Sequence, residues 1–133
     1  MAWITRLLVV ANRTAGSEEL TAALRARAEG AALQVTIVMP APVGLQEDAR
    51  TRLDGVLSAL REQGIDASGM VGDADPVNAA LDAWNPYHFD EIVLCTLPPG
   101  ESTWLHVDLP HRLRRLTDAT VQHVIAHSIP RAA

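Results

Sequence analysis

Leu7-Leu8-Val9-Val10-Ala11 is an uninterrupted apolar run that ends at Asn12-Arg13-Thr14. A run without alternating polar residues is typical of a strand that helices cover on both faces of a parallel sheet. The run therefore predicts the α/β fold class, in which strands and helices should alternate on either side of it.

The rest of the chain shows this alternation. Four further stretches rich in branched apolar residues predict strands at Leu33–Met39, Ile65–Val71, Glu91–Thr96 and Val121–Ala126. Gly69 interrupts the third of the five strands, so its pattern is weaker than the others. Alternation with short connections indicates a parallel sheet with helices on both faces and right-handed crossovers.

Four predicted helices lie between these strands, and each has an apolar stripe at helical spacing. The first begins at the N-cap Ser17 and stops at Gly30, and the third begins at Asp75-Pro76. A long loop, from Leu97 to about Asp108, precedes the fourth helix, which carries Leu109, Leu113 and Leu116.

Length and composition limit the class of protein. The 133 residues, 48% of them apolar, fit one domain, which we assign to residues 1–133. This composition excludes a disordered chain, and no apolar run reaches the roughly 20 residues that a membrane-spanning helix needs. The net charge of -5 argues against nucleic acid as a partner, because its phosphates bind basic surfaces. All 11 basic residues are arginine, which excludes lysine Schiff-base chemistry and a Walker-type phosphate lysine.

The cysteine content and the first residues predict a location. Cys95 is the single cysteine, so the fold does not need an oxidising compartment to form an internal disulfide. The apolar run within Met1–Val10 is too short and wrongly flanked for a signal peptide. We therefore expect a cytoplasmic protein.

Two polar segments follow predicted strands and are candidates for a binding site. Asn12–Ser17 follows the first strand and precedes a helix, whose free backbone N–H groups favour an anion. Thr96–Trp104 follows the fourth strand. In an open parallel sheet, ligands bind beyond the carboxyl ends of the strands where the strand order reverses. If the first and fourth strands are neighbours, the two segments face each other across such a crevice.

The order of elements resembles that of the universal stress proteins. The resemblance is carried by Leu7–Thr14, a strand that ends in a small polar residue, by Gly72-Asp73 before a helix, and by Asp90–Leu94 before a long loop. It implies a five-stranded parallel sheet in the order 3-2-1-4-5, of the adenine nucleotide alpha hydrolase-like type. It also implies frequent dimers and, in some members, ATP or AMP bound between the first and fourth strands.

The segment after the fourth strand departs from the family's nucleotide motif. Members that bind nucleotides carry Gly-x2-Gly-x9-Gly followed by Ser or Thr, and these positions fall here on Cys95, Pro98, Asp108 and Leu109. Pro98 and Pro99 lack backbone donors, and Asp108 repels phosphate. These departures argue against ATP binding in the family's usual manner.

The remaining polar side chains predict a site for a small anion. Arg13 and Arg112 offer bidentate donors for a carboxylate or phosphate, and several hydroxyls lie nearby in sequence. The alternative is that these residues are helix caps and solvated loop residues. The candidate ligand-binding residues are Asn12, Arg13, Thr14, Ser17, Val38, Met39, Gly72, Asp73, Thr96, Gly100, Ser102, Thr103, Trp104 and Arg112.

The sequence does not predict a catalytic or metal site. Cys95 lies in an apolar strand and is typical of a buried, inert thiol. Asp73 is a single spare carboxylate, not an acid/base pair. His123 and His127, four residues apart on the last predicted strand, would share a face but lack a third ligand.

The predicted function is therefore non-catalytic binding of a small anion or nucleotide fragment in the crevice between the first and fourth strands. The alternative is a structural or regulatory homodimer that has lost its nucleotide site and pairs through the apolar last strand, Val121–Ala126. A weaker alternative is a phosphate-ester hydrolase, for which the glycines and the base are missing. Trp104 either fills the crevice or lies in a subunit contact.

Overall fold

The computed structural model describes residues 3–127, and its centre is a sheet of parallel strands. The five strands are β1 (Ile4–Val10), β2 (Ala32–Pro40), β3 (Asp66–Gly72), β4 (Glu91–Thr96) and β5 (Val121–Ile125). They form one sheet in the order β3-β2-β1-β4-β5, and every neighbouring pair is parallel. The predicted α/β class and the strand order that the resemblance implied are confirmed.

Helices cover both faces of this sheet. They are α1 (Glu18–Gly30), α2 (Gln46–Glu62), α3 (Pro76–Ala83), α4 (Thr103–His106) and α5 (Leu109–Thr117). Leu7 and Val9 of β1 belong to an apolar cluster with α1 and α2, whereas Leu8 and Val10 belong to a second cluster with α3 and α5. Since successive side chains of a strand point to opposite faces, the apolar run of β1 is buried throughout.

The predicted capping residues start the first and third helices. The Ser17 side chain accepts a hydrogen bond from the Leu20 N–H, and the Asp75 side chain accepts one from the Val77 N–H. Each bond satisfies a backbone donor that the first turn of a helix leaves without a partner. The segment Asn12–Ser17 and the turn that ends at Asp75 thus lead into helices at defined residues.

Gly69 lies within β3 and does not interrupt it. A Cβ atom at this position would lie 2.9 Å from the backbone oxygen of Ile37 and 2.9 Å from Leu53 Cδ1. The side chain of Leu53 is fully buried, and it packs where the Gly69 side chain would otherwise be. The glycine therefore permits α2 to approach the sheet closely.

Two details of the sequence prediction are wrong. The segment between Leu97 and Asp108 is not only a loop, because the single-turn helix α4 forms within it. β5 ends at Ile125, so His127 lies beyond the strand and does not share a strand face with His123. Instead, the His127 N–H donates to the Glu19 carboxylate at 2.7 Å, which joins the end of β5 to α1.

Within residues 3–127, no helix is both long and apolar enough to cross a bilayer.

Candidate functional site

A cavity of about 360 Å³ opens beyond the carboxyl ends of β1 and β4. These two strands are neighbours, and the chain runs from β1 to β2 on one side and from β4 to β5 on the other. The connections therefore diverge here, as expected at the switch point of an open parallel sheet. The predicted meeting of the two polar segments is confirmed. The cavity is lined by Asn12, Arg13, Thr14, Pro40, Pro42, Ala74, Cys95, Thr96, Leu97, Glu101, Ser102, Thr103 and Trp104.

Asn12 is held by the protein itself. Its side-chain Nδ2 donates to the backbone oxygen of Pro40, and its Oδ1 accepts from Nη1 of Arg52. The same Arg52 nitrogen lies 3.8 Å from Met39 Sδ. The side-chain amide thus joins β1, β2 and α2, and its nitrogen and its oxygen each have one partner within the protein.

Thr14 and Ser17 connect the first loop to β4. The Thr14 hydroxyl donates to the backbone oxygen of Cys95 at 3.0 Å, and the Ser17 hydroxyl lies 3.8 Å from the Cys95 sulfur. Both residues are buried. Burial raises the pKa of the Cys95 thiol, so the sulfur stays protonated at neutral pH and is a poor nucleophile. These contacts are structural.

Thr96 pairs with a residue that the sequence analysis did not associate with the site. Its hydroxyl donates to the backbone oxygen of Leu97 at 2.8 Å and lies 2.7 Å from Nε2 of His123 on β5. The tautomer of His123 determines which of the two atoms donates in the second contact. Burial lowers the pKa of His123, and the positive charge of Arg114 lowers it further, so the imidazole is neutral at pH 7.

Two charged side chains of the cavity have no partner among the residues that the structure describes. Arg13 and Glu101 are exposed, and neither side chain takes part in a hydrogen bond or ion pair within residues 3–127. Thr103 is also exposed, whereas Ser102 is buried and has a partner. The polar groups that can meet a ligand thus lie at the cavity mouth.

Trp104 forms a wall of the cavity. The residue is half-buried and packs against the apolar cluster of α3, α5 and the sheet. The cavity of about 360 Å³ remains open beside it, so the indole does not fill the crevice. This volume is near the lower end of the range of about 300–1,000 Å³ for small-molecule pockets.

The loop after β4 is poorly suited to wrapping phosphates. Pro98 and Pro99 have no backbone N–H. Glu101 and Ser102, the next residues of this loop that line the cavity, donate their backbone N–H groups to the Pro98 oxygen at 3.0 and 3.1 Å. Arg13 is the one basic side chain among the lining residues. A polyphosphate would therefore find few backbone donors here and one cation.

Besides Arg112, six predicted residues do not line this cavity. Val38, Gly72 and Asp73 line a second cavity of about 420 Å³ at the ends of β2 and β3. Asp73 has a local role, because its carboxylate accepts from the Asp75 N–H at 2.9 Å. The other three are placed apart: Met39 is buried in the core, Ser17 caps α1, and Gly100 is in a turn with φ of +93°.

Arg112 is half-exposed on α5 and lines neither cavity. The lining residues that sequence reasoning did not include are Pro40, Pro42, Ala74, Cys95, Leu97 and Glu101. Leu97 and Glu101 lie within the predicted polar segment Thr96–Trp104, and the others lie at or near the ends of strands. Within the described part of the chain, no group of three or more His, Cys, Asp or Glu side chains could hold a metal ion.

No model of a known protein family matches the chain, and no curated protein matches it. The resemblance to the universal stress proteins therefore stays a prediction, while the fold is known from the structure.

Proposed function

We propose that this chain is a non-catalytic, universal-stress-protein-like domain that binds a small anion or nucleotide fragment between β1 and β4. The observation that carries the proposal is the position of Arg13, which lines a cavity at the switch point and has no partner within residues 3–127. An exposed guanidinium at the mouth of a cavity can donate two parallel hydrogen bonds to a carboxylate or phosphate.

A single-charged anion fits this site better than ATP does. The site offers one guanidinium, and the N–H groups of Glu101 and Ser102 are already bonded to Pro98. A non-catalytic role is supported by the hydroxyl of Thr96 and the thiol of Cys95, which are both engaged within the protein. These contacts also argue against the phosphate-ester hydrolase.

Titration calorimetry tests the proposal with acetate, phosphate, AMP and ATP as probes. We expect AMP or one of the small anions to bind, and ATP to gain nothing from its additional phosphates. At about 100-fold excess over the Kd, the bound ligand should add ~2.7 kcal/mol to the free energy of unfolding. The proposal is wrong if none of the four probes binds.

Arg13→Gln should weaken binding of whichever probe binds, because it removes the cation of the cavity. Arg50→Gln is the matched control, since Arg50 is an exposed arginine of α2 that does not line the cavity. Equal effects of the two substitutions would contradict the assignment of Arg13.

Self-association through β5 is a second candidate function. β5 is an edge strand. The Thr120 oxygen and the Ala126 N–H form hydrogen bonds with β4, so the backbone groups of the alternate residues His123 and Ile125 point away from the sheet. The N–H and C=O groups of these two residues have no partner within residues 3–127, and the apolar side chain of Ile125 on the same strand is half-buried. An edge of this kind favours pairing with another strand.

We also propose a cytoplasmic location, because Cys95 is the single cysteine and the fold does not depend on a disulfide.

A further inference from the structure

Two opposite charges line the same cavity without pairing with each other. Arg13 follows β1 and Glu101 follows β4, and both are exposed at the cavity. The ion pairs of residues 3–127 are Arg6 with Asp90 and Arg27 with Glu91, so Arg13 and Glu101 each lack a counter-charge. The charges of the lining side chains sum to zero.

The deeper wall of the cavity offers little to a polar ligand. The side chains of Asn12, Thr14 and Thr96 are hydrogen-bonded within the protein. Much of the remaining lining is apolar, and it includes the ring of the half-buried Trp104 and the half-buried Leu97. A ligand that matches these surroundings has an apolar or aromatic group for the wall and its charges near the mouth.

From this combination we infer that the ligand is a small zwitterion with an apolar side group, of the class of free α-amino acids. Arg13 holds its carboxylate, Glu101 holds its ammonium group, and Trp104 contacts its side group. The inference rests on the proposed function and specifies the ligand of the same cavity. A monoanion would satisfy Arg13 and leave Glu101, which lines the same cavity, without a counter-charge.

Three probes that share a phenyl ring test the inference on the full chain. L-phenylalanine carries both charges, 3-phenylpropionate lacks the ammonium group, and phenethylamine lacks the carboxylate. We expect L-phenylalanine to bind most tightly in titration calorimetry at low ionic strength. Each missing charge should weaken binding by about two- to fivefold, because the charged side chains are exposed. The differences should shrink as salt is added.

Substitutions assign the two charges separately. Glu101→Gln should weaken L-phenylalanine binding by about two- to fivefold and strengthen 3-phenylpropionate binding, because it removes an attraction in one case and a repulsion in the other. Arg13→Gln should weaken both ligands. Glu62→Gln, at an exposed glutamate at the end of α2, is the control and should change neither.

The outcomes separate this inference from the proposed function. If 3-phenylpropionate binds as tightly as L-phenylalanine and Glu101→Gln changes neither affinity, the zwitterion is excluded while anion binding at Arg13 stands. If L-phenylalanine does not bind, the zwitterion is excluded, and if none of acetate, phosphate, AMP and ATP binds either, both proposals are wrong.

Discussion

At the scale of single residues, hydrogen-bond partners decide which polar groups remain for a ligand. Asn12, Thr14 and Thr96 are the residue types that phosphate and carboxylate sites use, and all three line the cavity. Their side chains nevertheless bond to Pro40, Cys95 and Leu97. Residue type therefore identifies candidates, and the partner of each side chain determines whether it is available.

Gly69→Ala should destabilise the protein. The added Cβ would lie 2.9 Å from both a backbone oxygen and Leu53 Cδ1, so α2 or β3 must shift. Overpacking of this kind costs about 1–3 kcal/mol. Urea unfolding followed by circular dichroism measures the loss.

Gly55→Ala is the matched control, because no atom lies within 4 Å of the added Cβ and the residue is exposed in α2. Alanine favours helix over glycine by about 1 kcal/mol, so this variant should be more stable than the wild type. Equal stability of the two variants would show that the contact between Leu53 and Gly69 is not tight.

At the scale of elements, the helix before each edge strand protects part of that edge. Arg61 of α2 donates to the outward backbone oxygen of Ala67 on β3 at 3.0 Å. Arg114 of α5 donates to the oxygen of Val121 on β5 at 3.2 Å. Each arginine occupies a carbonyl that an intruding strand would otherwise use, so the free edge of β5 is limited to its second half.

The pairing of β4 with β5 should make stability depend on pH through His123. Its folded pKa is lowered from 6.5, first by burial and then by Arg114, so the unfolded chain binds more protons between the two values. The contribution of neutral His123 to the free energy of unfolding is complete above pH 6.5 and is lost as the pH falls toward the folded pKa.

Chemical unfolding at a series of pH values from 7.5 to 5 measures this dependence. His123→Gln should flatten the decline, whereas His88→Gln, at an exposed histidine, should leave it unchanged. A decline that is identical in all three proteins would contradict the assignment to His123.

At the scale of the whole molecule, the central position of β1 explains where the cavity lies. β1 has β2 on one side and β4 on the other, and the chain leaves these neighbours in opposite directions along the sheet. The two connections part above β1, and their polar segments form the cavity walls. The site is thus a consequence of strand order, whichever ligand occupies it.

If β5 mediates self-association, the wild type should be a dimer and Ile125→Asp a monomer. A buried aspartate at a strand-to-strand contact would leave a charge without a partner. Size-exclusion chromatography with light scattering measures the mass, and circular dichroism checks that the variant folds. Met70→Asp, at an exposed position on the opposite edge strand, should stay dimeric. A wild-type monomer at every concentration would exclude the dimer.

The alternation of strands and helices was predictable from the sequence because it depends on local patterns. Apolar runs such as Leu7–Ala11 and caps such as Ser17 and Asp75 act over a few residues, and their elements formed as expected. The one strand with a weak pattern, β3, is explained by Leu53, which lies far from Gly69 in sequence. A local pattern cannot include such a contact.

The site required the tertiary structure. The sequence by itself determined that polar segments follow β1 and β4, which made Arg13 and Trp104 candidates. Only the folded chain placed Glu101 on the same cavity as Arg13 and joined Thr96 to His123. The physical reason is that the strand order brings distant segments together, and the resulting hydrogen bonds and unpaired charges depend on distances in space and not on spacing along the chain.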